Sequence, residues 1–130
     1  MNPTKNRGPR KSIAALVAAA CSILAIGAGA SAALAHVDVV ATSPKRNAQL
    51  AKAPRAVTVT FSAQTLRGTI AVKNGQGRVV STKGGRDPGD VRRLRVTLRP
   101  GLGKGAYVVR WTAVAPDGDE ATGSFRFTVR

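Results

Sequence analysis

From Gly105 to Val129 the apolar and polar positions alternate with a period of two, interrupted once. Tyr107, Val109, Trp111 and Ala113 fall on one face, opposite Val108, Arg110 and Thr112. After Pro116–Glu120 the alternation resumes, with Phe125, Phe127 and Val129 set against Ser124, Arg126 and Thr128. This period marks half-buried strands and predicts a central strand pair joined by a polar loop. Four of the aromatic residues outside the first 35 positions lie in this pair and the fifth is Phe61, so the pair supplies the largest burial terms of a small core.

The same alternation places Val57, Val59 and Phe61 inward in a strand over Ala56–Phe61, and Leu94, Val96 and Leu98 inward over Val91–Arg99. His36–Val40 reads as a short first strand with His36 and Asp38 on one face. Thr69–Lys73 and Arg78–Thr82 flank Asn74-Gly75-Gln76-Gly77, a strong hairpin signal. Thr42–Pro54 reads as a loop with Ala48 and Leu50 tucked inward, and the glycine-rich Lys83–Asp90 as a mobile loop. These are seven strands with no helical period after residue 35. The expected fold is all-β, a seven-stranded antiparallel β-sandwich with Greek-key connections, of the Ig-like or cupredoxin-like kind.

The beginning of the chain follows different rules. Met1–Lys11 carries four cations and no acid, Ser12–Leu34 is apolar and rich in small residues, and Ala33-Leu34-Ala35 offers an A-x-A cleavage site. Residues 1–35 therefore read as a signal peptide and 36–130 as the exported domain, periplasmic or extracellular, beginning at His36. Two alternatives stand beside this: an uncleaved membrane anchor, which the length of the apolar run permits, and lipid attachment at Cys21. Gly27, Gly29 and the small-residue site favour cleavage, and the run continues well past Cys21.

Cys21 is the only cysteine and Met1 the only methionine, so the domain 36–130 has no disulfide and must be held by packing. The chain has 21 Lys and Arg against six acids. Outside the leader, 17 cations remain, an excess that draws the domain toward anionic surfaces. Arg92, Arg93, Arg95 and Arg99, with Arg110 and Arg126, are expected to form a basic stripe on one sheet face, either an envelope contact or a solvated face that discourages edge pairing. No stacking aromatics interleave the arginines, which argues against nucleic-acid binding. With one histidine, at the chain start, and no cysteine in the domain, neither a Ser–His nor a Cys–His nucleophile is supported, and the second imidazole that oxidative copper enzymes with a terminal-His brace need is missing. An enzyme is not expected.

The remaining chemistry lies in few residues. At a processed terminus His36 offers an amine and an imidazole that can chelate one ion, and carboxylates would complete an N/O set that suits Cu(II). Asp117 and Asp119, two apart in the polar loop, are candidate donors. The same residues also fit a solvated chain end and a turn chosen for its conformation, and one His with two Asp is by itself a weak metal signature.

A resemblance bears on this choice. Ala35-His36, Ser43-Pro44 with Ala48 and Leu50, Ala53-Pro54 leading into Val57–Ser62, Leu102, Gly105–Trp111, Asp117-Gly118 and Gly123–Val129 follow one another as in the CopC family of exported copper-binding domains, which the region after the leader resembles over essentially its whole length. The resemblance implies a seven-stranded Greek-key sandwich and a Cu(II) site made of the amine and imidazole of the first His, an Asp, and a His two residues further on. These positions are His36, Asp117 and residue 119. Residue 119 is Asp here, which implies a donor set of two nitrogens and two oxygens and weaker Cu(II) binding. Some relatives hold Cu(I) on a methionine-rich loop, which this domain lacks. The implied function is sequestering or carrying Cu(II) for copper resistance or homeostasis, with delivery to a membrane transporter of the CopD type. The alternative is a sandwich that has lost the metal and works as a basic module at an anionic envelope surface.

Overall fold

The computed structural model describes residues 36–130. The expected leader and Cys21 lie outside the described residues. Eight strands form: β1 (Val39–Ser43), β2 (Ala48–Leu50), β3 (Ala56–Phe61), β4 (Arg67–Lys73), β5 (Gly85–Asp87), β6 (Asp90–Thr97), β7 (Gly105–Val114) and β8 (Glu120–Val129). They make two four-stranded sheets, ordered β1-β3-β6-β5 and β2-β8-β7-β4. Only β5–β6 and β7–β8 are hairpins; every other connection crosses between the sheets, as in a Greek-key sandwich.

The central pair predicted from the alternation is the longest ladder, running from Gly105↔Val129 to Val114↔Glu120. Its inward side chains meet those of the opposite sheet. Phe61 of β3 and Trp111 of β7 pack edge to face with ring centres 5.0 Å apart. Tyr107 and Phe127 stack at 5.3 Å, and the Tyr107 hydroxyl donates to the Gly103 carbonyl at 2.5 Å, which satisfies its polar end. Val57, Val59, Leu94 and Val109 are wholly buried between the sheets. The core runs from Val37 to Val129, and residues 36–130 fall within one compact unit.

Four expectations are corrected. The first strand begins at Val39, because residues 36–38 are tied to the Ser62 side chain and backbone before the β1–β3 ladder starts. Arg78–Thr82 makes only single bridges, Lys73↔Val79 and Ser81↔Leu98. Its hydrogen bonds are divided: the Val80 amide donates to Val72 in one sheet, and the Thr82 amide to Thr97 in the other. The segment is thus a strap between sheets rather than the second arm of a hairpin. Two stretches read as loops contain strands. β2 pairs in parallel with β8, so the sandwich is not wholly antiparallel, and β5 pairs with β6. The glycines of the second stretch serve close approach: a Cβ on Gly84 would lie 2.6 Å from the Ile70 carbonyl and from Val96 Cβ. Glycine there lets the two sheets close along the β4–β5 side.

The expected basic stripe is also divided. Arg93, Arg95 and Arg99 project from or just beyond β6, whereas Arg110 and Arg126 lie on β7 and β8 of the other sheet. Pro100–Lys104 is a crossover, and inward Leu94 and Val96 facing inward Val109 and Phe127 send the two sets of arginines to opposite outer faces.

Candidate metal centre

Ser62 fixes the start of the described chain. Its amide donates to the Asp38 carbonyl at 2.8 Å, its hydroxyl accepts from the Asp38 amide at 3.1 Å and donates to the His36 carbonyl at 3.4 Å. His36 is thereby held at the finishing end of β3, with its side chain exposed. The chain leaving Ser62 crosses to the other sheet at the same end. The Thr65 amide donates to Val91 at 2.8 Å and the Leu66 amide to Val114 at 2.7 Å, and Val114 is the last residue of β7 before the loop that carries Asp117 and Asp119. The topology therefore brings His36 and both aspartates to one end of the sandwich.

The loop is a tight turn built by its residue types. Pro116 and Asp117 occupy the two central positions of a turn closed by the Gly118 amide on the Ala115 carbonyl at 2.9 Å, and Gly118 takes a positive φ of 93°, a combination suited to proline and glycine. The Ala115 amide then donates to the Asp119 carbonyl at 2.8 Å. Asp117 Oδ1 accepts from the Asp119 amide at 3.0 Å, which leaves Oδ2 as its free oxygen. Asp117, Asp119 and Glu120 are exposed.

What the structure does not do is draw these side chains into a finished cage. Among the described residues no three His, Cys, Asp or Glu groups are gathered closely enough to hold an ion. The chain still has a peptide bond between Ala35 and His36, so the terminal amine of the expected donor set arises only on cleavage. Donor chemistry fits copper: imidazole, amine and carboxylate are acceptable Cu(II) ligands.

Two features were not anticipated. Ser62 sits inside the motif Val57–Ser62, but only the hydrogen bonds above reveal its role as the clamp on residues 36–38. In addition, all six acids share this end. Asp38 immediately precedes β1, Asp87 and Asp90 flank the β5–β6 turn, Asp117 and Asp119 lie in the β7–β8 turn, and Glu120 opens β8. Arg93 pairs with Asp90 at 3.1 Å and Asp87 at 3.7 Å; among the described residues the other four acids make no ion pair. A cluster of exposed carboxylates on an otherwise basic domain concentrates cations locally.

The turn contact of Asp117 and its expected role as a ligand can be tested apart by substitution. Asp117→Asn keeps an oxygen for the Asp119 amide and should leave thermal unfolding unchanged, while Asp117→Ala, which loses the turn bond, should cost about 0.5–1.5 kcal/mol. Both should weaken Cu(II) binding in a titration if the carboxylate is a ligand; a normal titration for Asp117→Asn would assign Asp117 to the turn alone.

Comparison with known proteins places these features in context. A family model described as the CopC domain matches residues 39–130, and His36 lies just outside that span. Protein YobA of Escherichia coli K12 is 32% identical over 101 residues, covering 74% of this chain and 80% of YobA. The copper transport protein CutJ of Bacillus subtilis is 30% identical over 102 residues, which are 73% of this chain but 18% of CutJ. Among solved structures, CopC from Methylosinus trichosporium OB3b superposes with a TM-score of 0.65 at 26% identity, covering 72% of this chain and 93% of that one. PcoC, a methionine-rich copper resistance protein from Escherichia coli, gives 0.61 at 24% identity over 74% of this chain and 100% of its own, a likeness of fold alone.

Proposed function

The chain belongs to the CopC domain family, and from that premise we propose that its residues 36–130 are an exported carrier of Cu(II), bound through the amine and imidazole of His36 with Asp117 and Asp119. The observation that carries the reading is the convergence of His36 and the acidic β7–β8 turn on the one end of the sandwich where every acid lies. A copper-related function is supported by the family and by a relative named for copper transport. The carrier role draws on CutJ, in which the matching stretch is a small part of a longer transport protein. A domain of this kind working beside a membrane transporter of the CopD type would hand over its ion from the exposed end. Cleavage after Ala35 creates the chelating terminus outside the cytoplasm. The copper is cargo, and no catalytic step is assigned to it.

Asp119→His tests the donor set. Replacing a carboxylate with imidazole adds a nitrogen donor, and nitrogen-rich tetragonal sets favour Cu(II). Tighter binding is expected in a competitive titration of the domain beginning at His36, with the visible absorption moving to higher energy. Unchanged affinity and spectrum would remove residue 119 from the site. Failure of the unsubstituted domain to take up one equivalent of Cu(II) would favour the alternative of a sandwich that has lost its metal.

A further inference from the structure

The outer face of the β2-β8-β7-β4 sheet is uneven in charge along its length. Its rungs read Arg67–Val114–Glu120 at the acidic end, then Thr69–Thr112–Thr122, then Ala71–Arg110–Ser124, then Lys73–Val108–Arg126. Beyond the first rung there is no acid. Lys73, Arg110 and Arg126 are exposed, and among the described residues none of them has an ion-pair partner. All three line one shallow depression of about 390 Å³ floored by Ala106 and Val108.

The surroundings keep this face open and flat. The Asn74–Gly77 turn forms one rim, with the Asn74 side-chain oxygen held by the amides of Gln76 and Arg78 and Gly75 and Gly77 contributing no side chain. The neighbouring outward positions are Thr, Ser and Ala, so the cationic stems are the main projections. Arg110 and Arg126 are diagonal neighbours on adjacent strands, about 7–8 Å apart at that relationship. Lys73 and Arg126 flank Val108 across two strand spacings, about 10 Å. Like charges gathered on one face repel one another; a bound anionic surface relieves that repulsion.

We infer that this face docks onto an anionic lipid surface, with Lys73, Arg110 and Arg126 set against phosphate headgroups. A plane of headgroups fits better than one small anion. The three cations are spread over a flat sheet, and among the described residues there is no helix whose terminus could enclose a single phosphate. Juxtaposed basic side chains contribute additively to attraction toward anionic lipid and lose it as salt rises. The acidic end with His36 lies off the depression, so docking and Cu(II) binding are independent and fail separately.

The test is co-sedimentation of the 36–130 domain with vesicles of phosphatidylcholine, with and without phosphatidylglycerol. Binding is expected only with phosphatidylglycerol and should fall with added salt. The triple variant Lys73→Gln/Arg110→Gln/Arg126→Gln should bind about a hundredfold more weakly, at roughly a factor of five for each neutralised cation. The variant Arg92→Gln/Arg95→Gln/Arg99→Gln, which loses the same charge around β6 of the other sheet, should retain most of the binding. Both triples should unfold no lower than the unsubstituted domain and take up Cu(II) as it does. Equal losses in the two triples would reduce the effect to net charge and overturn the proposal, as would binding that ignores phosphatidylglycerol. Binding to soluble polyphosphate that phosphatidylglycerol vesicles cannot displace would also overturn it, by assigning the face to a polyanion instead.

Discussion

Adding one alanine ahead of His36 in the 36–130 domain should abolish tight Cu(II) binding without disturbing the fold. The extension converts the terminal amine into an amide and moves the new amine one residue away, which destroys the small chelate ring that amine and imidazole form on one ion. Losing an outer-shell partner alone typically costs roughly 10–100-fold in metal affinity, and losing a direct nitrogen ligand should cost more. His36→Ala should be as damaging, because it removes the imidazole from the same ring. Neither change touches the core, which begins at Val37, and neither removes the Ser62 contact, which uses the His36 carbonyl. Since amine and imidazole coordinate only in their unprotonated forms, affinity should also fall on acidification. Competitive titration at fixed pH checks the pair, and identical isotherms for extended and unextended domains would assign the copper to adventitious surface groups.

The largest effect on stability should come from Phe127→Ala. Phe127 is wholly buried, stacks on Tyr107 at 5.3 Å, lies opposite Tyr107 in the β7–β8 ladder and pairs in register with Ala48 of β2. Deleting a buried phenyl ring costs about 3–5 kcal/mol, against a total of about 5–15 kcal/mol for a typical domain. No disulfide in 36–130 offsets the loss. At about 4–8 °C per kcal/mol for a domain of this size, the unfolding midpoint should drop by well over 10 °C. A drop of less than about 5 °C would show that the β7–β8 pair is not the organising element of the core.

That pair was the most legible part of the sequence, because both of its strands are long, bury one face and are joined by a turn of Pro, Asp and Gly. The period of two, the inward aromatics and the turn can all be read locally. Arg78–Thr82 alternates as well, yet the tertiary structure divides its hydrogen bonds between two sheets, and no local pattern records such a division. Strands β2 and β5 have three residues each, too short for a period to show. In β5 the adjoining glycines suggested mobility, whereas Gly84 is there because the Ile70 backbone leaves no room for a Cβ. The arginines of β6, β7 and β8 form one series along the chain, but the crossover at Pro100–Lys104 divides them between faces.

For the site, the residue types and their order suggested donors, and resemblance to the CopC family suggested how they combine. Proximity was not legible. It depends on Ser62 tying residues 36–38 to β3 and on Leu66 bonding to Val114, contacts between positions far apart in sequence. The gathering of all six acids at this end is likewise a consequence of strand direction, since each acid lies at or just before a strand start or in a hairpin turn on the same side of the sandwich.

The central claim is that one Cu(II) ion is held by the amine and imidazole of His36 together with carboxylate oxygen. Electron paramagnetic resonance of the 36–130 domain loaded with one equivalent of Cu(II) tests it most directly. A tetragonal spectrum with hyperfine structure from two nitrogens is expected. A spectrum without nitrogen coupling, or one matching Cu(II) on the alanine-extended domain, would contradict it.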